Sequence, residues 1–340
     1  MREGEILFLN RNEVSSLITP KEVLALTEAA LVEYSNGETI NPSKLSLPIF
    51  PYHEGLINSM PSYMKKGDVV GVKIVSVFDN NPRDYKLPTT VGTIVLYNAD
   101  TGIPIAIMDG TYITDMRTGA VSGIKAKYLA KKGAKKLAII GGGAQGFTSM
   151  EMTLFSLPGI TDVQVCDLSD EQCDAFIEKG KEVFPDVCFS KCTDHRDTLK
   201  DADIVVYATS ANRPLLENGE YLKDGITVIL VCETLTQKAI GLFDKWYVDT
   251  EECALDRYNV SLKKYSEDRG LEWSPLTKSL VTGEIGDVIT GKISGRENDS
   301  EKILSGAVGM SIEDVIAAKA VYDAAVAKGV GKVLDFQCLK

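Results

Sequence analysis

At 340 residues the chain has room for two domains of roughly 100–200 residues each. Its apolar fraction of 44% and charged fraction of 25% are those of an ordinary soluble globular protein. The net charge of −11 speaks against a nucleic-acid or anionic-membrane surface, and no apolar run approaches the ~20 residues a membrane helix needs.

The N-terminal stretch MREGEILFLNRNEV has no long apolar segment and no small-residue cleavage site, so no signal peptide is expected. Seven cysteines are scattered between Cys166 and Cys338 with no CxxC pair, as expected of free thiols in a reducing cytoplasm. Only His53 and His195 are present, which excludes a His-rich metal site, and no metal is expected.

In chain order, residues 5–9 read as a first strand. Thr19-Pro20-Lys21-Glu22 is a helix start, with Thr19 as N-cap, Pro20 first and Glu22 third; Gly37 can end that helix. From Asn41 to Leu96 short strands and turns follow: Lys44 to Pro48, Leu56 to Met60, Val69 to Phe78, a polar loop from Asp79 to Pro88, and Gly92 to Tyr97. A turn at residues 98–102 leads to Ile103–Met108, so this half is expected to be α+β with a mainly antiparallel sheet. Lys73 lies in VVGVKIVSVF, whose two faces are both apolar. Either the strand is a sheet edge, or the lysine is buried to serve as a proton donor or a carboxylate binder.

Thr114 is a candidate cap for a helix running DMRTGAVSGIKAKYLAKK to Gly133, which puts Arg117 in the first turn. A helix start with an arginine suits a carboxylate. A plain surface arginine is the alternative, but a cation is unfavourable at that helix end.

The stretch Lys135 to Asp167 reads strand, glycine turn, helix, strand, acid, the order of a dinucleotide-binding fingerprint. Gly141 permits the tight turn, Gly143 lets backbone approach a pyrophosphate, and Gly146 lets the helix lie on the strand. The helix start at Ala144-Gln145-Gly146 offers N–H groups to phosphate. Asp167, 26 residues after Gly141, can accept both ribose hydroxyls and would repel a 2′-phosphate, so NAD is expected over NADP. Further strands follow at Val187–Lys191, Asp203–Thr209, Gly225–Val231 and Trp246–Asp249. The strand ends place Ala208, Thr209, Ser210 and Val231 near the cofactor. Residues 255–310 read as polar and turn-rich, and Ser311 starts a last helix that returns to the N-terminal domain.

These residues carry a resemblance. Met60-Pro61 with Lys73, Met108-Asp109-Gly110, Arg117-Thr118-Gly119-Ala120-Val121-Ser122, Gly141 to Gly146, and the closing GEIGDVITGKISGR and VGMSIEDVIAAK are similar to the ornithine cyclodeaminase/μ-crystallin family over nearly the whole chain. The resemblance implies an α/β fold: a Rossmann-type doubly wound parallel sheet (119–305) plus an α+β substrate and dimerisation domain from both chain ends (1–118 and 306–340). It also implies an NAD(P)-dependent homodimer acting on small amino or imino acids. By the same resemblance, Lys73 and Arg117 meet the substrate carboxylate, and Lys44 stands where the family usually has another arginine. Asn58 stands where the cyclodeaminases carry a Glu for a distal ammonium. Thr234 stands where they carry a catalytic Asp, and Glu233 could replace it if the loop shifts by one residue.

The expectation is therefore a cytoplasmic NAD(H)-dependent oxidoreductase of small amino or imino acids, with Lys73, Glu233 and Thr234 as catalytic candidates. Lys44, Asn58, Lys73 and Arg117 are the substrate-binding candidates. An ornithine cyclodeaminase and a non-enzymatic crystallin-like binding protein are the alternatives.

Overall fold

In the computed structural model, which describes residues 4–50, 52–211, 214–216, 221–232, 235–306 and 309–336, the chain forms two units. One holds Met1–Arg117 and Gly309–Lys340, the other Thr118–Val308.

In the first unit β1 (Glu5–Leu9) leads to α1 (Arg11–Leu17), absent from the predicted elements. Asn10 caps α1 and Glu13 reaches back to the Asn10 N–H. In α2 (Pro20–Ser35) Thr19 and Glu22 close the predicted capping box. There follow β2 (Thr39–Ile40), β3 (Leu45–Pro48), β4 (Leu56–Met64), β5 (Val69–Val77), α3 (Asn81–Asp84), β6 (Thr90–Asn98) and β7 (Pro104–Asp109). The expected loop at 79–88 thus contains one helical turn. β7 ends at α4 (Thr111–Leu129), and the unit boundary falls inside this helix.

The second unit alternates strand and helix: β8 (Lys136–Ile140), α5 (Ala144–Ser156), β9 (Asp162–Cys166), α6 (Asp170–Val183), β10 (Cys188–Lys191), α7 (His195–Asp201), β11 (Ile204–Tyr207) and β12 (Thr227–Leu230). Then come α8 (Gln237–Ile240), β13 (Lys245–Val248), α9 (Glu251–Glu267), β14 (Gly283–Glu284), α10 (Ile285–Ile289) and β15 (Ile303–Gly306). All of these strands pair parallel, in the order β10-β9-β8-β11-β12-β15-β13-β14. This is a Rossmann-type sheet. Leu137, Ile139, Val163 and Val165 pack in one core with Phe147, Met150 and Phe176. Their neighbours Ala138 and Ile140 join Val205, Tyr207 and Trp246 in another. Strands covered on both faces read as continuous apolar runs, which is why the sequence shows them so clearly.

One expectation fails in this unit. Residues 255–310 are not merely turns: α9 extends through them to Glu267, and β15 inserts between β12 and β13. The four-residue strand Ile303-Leu304-Ser305-Gly306 is fully buried, yet it is too short to show a period of its own. Within the unit, buried Lys125 of α4 pairs with Asp249 after β13 at 2.5 Å and donates to the Gly306 carbonyl oxygen.

The chain then returns to the first unit as α11 (Ser311–Lys328) and β16 (Lys332–Asp335). The sheet there runs β16-β1-β7-β6-β5-β4-β2, with β3 on β4. It is antiparallel except for β1 and β7, which pair parallel. α11 packs on α2, β4 and β5 through buried Val315, Ala318 and Val321. Gly71 makes this approach possible, because a Cβ there would meet Val315 Cγ2 at 2.5 Å. The other sheet face leaves Phe8, Leu45, Leu47, Ile57, Ile74 and Val91 exposed.

Candidate active site

The glycine turn of the second unit forms a cradle. Gly141 has φ +107° and packs so near the Ala208 carbonyl that a Cβ would collide with it. Gly146, in the first turn of α5, lies against the Gly141 carbonyl with no room for a side chain. Gly143 differs: it is the extended N-cap of α5, and a Cβ there would meet nothing within 4 Å. No side chain caps α5. A helix start of this kind carries N–H groups that lack intrahelical partners and a partial positive charge. An open backbone surface beside such a start fits a pyrophosphate, so the residues present suit a dinucleotide.

Asp167 follows β9 and is half-buried. Its Oδ2 accepts from the Gly142 N–H at 2.8 Å and its Oδ1 from the Ser169 N–H at 3.0 Å. Each carboxylate oxygen can accept more than one bond, so ribose hydroxyls remain within its chemistry. Ala208 and Val231 continue β11 and β12, with N–H groups bound to Ile140 and Tyr207 carbonyls at 2.8 Å. Thr209 and Ser210 lie in the loop after β11, where the Thr209 hydroxyl accepts from the Ala211 N–H. Glu233 and Thr234 lie outside the described residues.

The first unit brings the cationic candidates together. Lys73 is central, not at an edge: β5 pairs with β4 on one side and β6 on the other, and Lys73 is opposite Met60 and Ile94. It is 0% exposed, and its Nζ is 2.6 Å from Asp314 Oδ2. Burial, and then the charge of Arg117, lower its pKa to about 8; Asp314 and Glu313 pull the other way.

Arg117 departs from expectation. The Asp109 carboxylate accepts the Thr111 and Tyr112 N–H groups, so α4 begins at Thr111 and Thr114 is not its cap. The Thr114 hydroxyl instead donates back to the Gly110 carbonyl at 2.6 Å. Arg117 therefore sits in the second turn, and a helix-terminus anion site cannot explain it. It is buried against α11, with Nε 3.1 Å from Asp314 Oδ1 and Nη1 3.0 Å from Glu313 Oε2. Gly309 gives the guanidinium its place, since a Cβ there would lie 2.5 Å from Nη1.

Asn58 is buried on β4, on the same sheet face as Met60 and Lys73, and its Oδ1 accepts from Ser46 Oγ at 2.5 Å. Lys44 is half-buried in the connection entering β3. The structure thus brings Asn58, Lys73 and Arg117 into one unit's core with Glu313 and Asp314. In the sequence those two acids fall in the start of the last helix and in the VGMSIEDVIAAK stretch, with no role assigned to either. Their signal was two consecutive acids in the first turn of a helix, both fully buried in the fold, whereas its later charges Lys319 and Asp323 pair with each other.

A model of the ornithine cyclodeaminase/mu-crystallin family matches residues 5–329. The chain belongs to this family. It is 33% identical over 340 residues to a Bacillus cereus Delta(1)-pyrroline-2-carboxylate reductase, covering 97% of this chain and 100% of that one. The Thermococcus litoralis Delta(1)-pyrroline-2-carboxylate reductase, solved with NADH and L-proline, superposes with a TM-score of 0.87 at 30% identity, over 96% of this chain and 99% of that one. An archaeal alanine dehydrogenase dimer with bound NAD gives 0.85 at 29% identity, over 97% and 99%. Like these members of the ornithine cyclodeaminase/mu-crystallin family, the chain joins a Rossmann-type sheet to a mixed α/β unit, and its cofactor is NAD(H). Among the described residues no group of three His, Cys, Asp or Glu could hold a metal ion, and no helix is long and apolar enough to cross a membrane.

Proposed function

We propose that this protein reduces a cyclic α-imino acid of the Δ1-pyrroline-2-carboxylate class to the corresponding amino acid. The broader class is plain: the chain is an NAD(H)-dependent oxidoreductase acting on C–N bonds of small amino or imino acids. The observation that carries the narrower reading is Asn58. Where the resemblance places an anionic partner for a distal ammonium, this chain has a buried neutral amide whose oxygen is already bonded to Ser46. A diamino acid would bring its second charge to a site without that counter-charge. The B. cereus reductase, similar along its whole length, supports the same choice.

In this reading Gly141, Gly143, Ala144, Gln145, Gly146 and Asp167 hold the dinucleotide, with Ala208, Thr209, Ser210 and Val231 beside it. When bound, NADH supplies the hydride that reduces the C=N carbon. Arg117 and Lys44 hold the substrate carboxylate. Lys73, buried and charged, orients the carboxylate and supplies the proton that the imine nitrogen gains. The N- and C-terminal segments form the substrate and dimerisation domain.

The test is direct. Δ1-pyrroline-2-carboxylate with NADH should give L-proline with equimolar loss of NADH. L-Ornithine with catalytic NAD should give neither proline nor ammonia. Proline and ammonia from ornithine would establish a cyclodeaminase instead; tight NADH binding with no turnover of any imino or amino acid would establish a binding protein.

We also propose a cytoplasmic homodimer. The six described cysteines form no disulfide. The face bearing Phe8, Ile57, Ile74 and Val91 is too apolar to stand in water, and a second copy would cover it. Ile74→Asp should yield a folded monomer by light scattering; an unchanged dimer would place the interface elsewhere.

A further inference from the structure

Of the two acids in the first turn of α11, only one touches both cations. Asp314 binds Lys73 Nζ through Oδ2 at 2.6 Å and Arg117 Nε through Oδ1 at 3.1 Å, and the side chains of Lys73 and Asp314 are fully buried. Glu313 touches Arg117 and turns back to accept from the Met310 N–H at 3.3 Å, a cap of its own helix. The first turn is itself fastened in place. Ser311 Oγ donates to the carbonyl of Met60, the residue paired with Lys73, at 2.5 Å, and Asn41 accepts the Ile312 N–H at 3.2 Å.

We propose that Asp314 is a positioning residue for the reaction: it sets the separation of Lys73 and Arg117 and supplies the charge that keeps Lys73 an ammonium. This rests on the reading of Lys73 and Arg117 as the substrate's partners. A buried lysine without an anion would discharge, because a low-dielectric interior disfavours its charged form. The groups bearing on Lys73 are Arg117 from α4 and Asp314 and Glu313 from α11. Its strand partners Met60 and Ile94 do not titrate. The four charges sum to zero, so neither cation is held by surplus negative charge.

The consequence is a pH limit. Lys73 as ammonium is fully present below its pKa and is lost as pH rises through it, near pH 8 in the native protein. Asp314 raises that value, so Asp314→Asn must lower it, and turnover must fail at lower pH. The alkaline limb should move down by at least about one unit, so that turnover above pH 8 falls more steeply than turnover at pH 6. Asp314→Glu keeps the charge but displaces the cations: its limb should stay in place while KM for the imino acid rises. Glu313→Gln should move the limb less than Asp314→Asn.

Rate profiles for these variants, with NADH affinity from fluorescence, give the test. Carbon-labelled lysine NMR reads the Lys73 titration without turnover, with its resonance assigned by loss in Lys73→Ala. An alkaline limb and a Lys73 titration that stay in place in Asp314→Asn overturn the inference. If Asp314→Asn does not fold, an unchanged KM for the imino acid in Asp314→Glu overturns it. Should Lys73→Ala itself turn over normally, the reading of the site fails; should Lys73→Ala be dead and the limb remain fixed in Asp314→Asn, only the role of Asp314 fails.

Discussion

Lys73→Ala should lose about two to four orders of magnitude in kcat while binding NADH as before. The loss combines two roles. The variant lacks the proton that the imine nitrogen takes up, and it lacks one of the charges holding the carboxylate. It also leaves Asp314 with Arg117 as its remaining cation in a fully buried setting. That imbalance costs stability, by about 3–5 kcal/mol for a broken buried pair. A thermal melt therefore belongs beside the kinetics, and Lys73→Arg, which keeps a charge, separates the two effects. NADH affinity should hold because the dinucleotide cradle is built wholly within Thr118–Val308. Steady-state rates with a fluorescence titration check both halves, and undiminished turnover would remove Lys73 from the mechanism.

Gly146→Ala and Gly143→Ala should both weaken dinucleotide binding, but for different reasons. At Gly146 a methyl group has no space, since the Gly141 carbonyl oxygen occupies it. The helix must move off the turn, so Kd for NADH should rise at least about 100-fold, close to 2.7 kcal/mol. Stability should fall as well, by about 1–3 kcal/mol. At Gly143 a methyl group meets no protein atom, so the apo-protein should melt unchanged. It would occupy the surface to which a pyrophosphate comes, so affinity falls without loss of stability. Paired melts and NADH titrations distinguish the cases. Gly143→Ala with full affinity would mean that the dinucleotide does not use this cradle.

The glycine turn, its flanking strands and Asp167 were legible because each piece is local. A strand buried on both faces is a short apolar run, a tight turn needs glycine, and a helix start needs neither partner nor distance. The capping box of Thr19 and Glu22 was legible for the same reason, since all its atoms lie in two residues three positions apart. Where two capping groups compete, the sequence does not show which one starts the helix. Thr114 has the chemistry of a cap, but Asp109 reaches the first N–H groups and α4 starts at Thr111, four residues before Asp115.

By itself the sequence determined the cofactor class, the family and the residue types available for chemistry. Whether Lys73 lay at an edge or at the centre was open, because both faces of its strand are apolar and only pairing with β4 and β6 decides the question. β15 was hidden because four buried residues carry no period. The assembly of Arg117 with Glu313 and Asp314 spans 196 and 197 residues of chain. No local pattern can announce an ion pair of that span. Tertiary packing made it, through Gly71 admitting α11 to the sheet and Gly309 leaving room for the guanidinium. Local composition thus named the charges, and the return of the C-terminal helix decided how they are balanced.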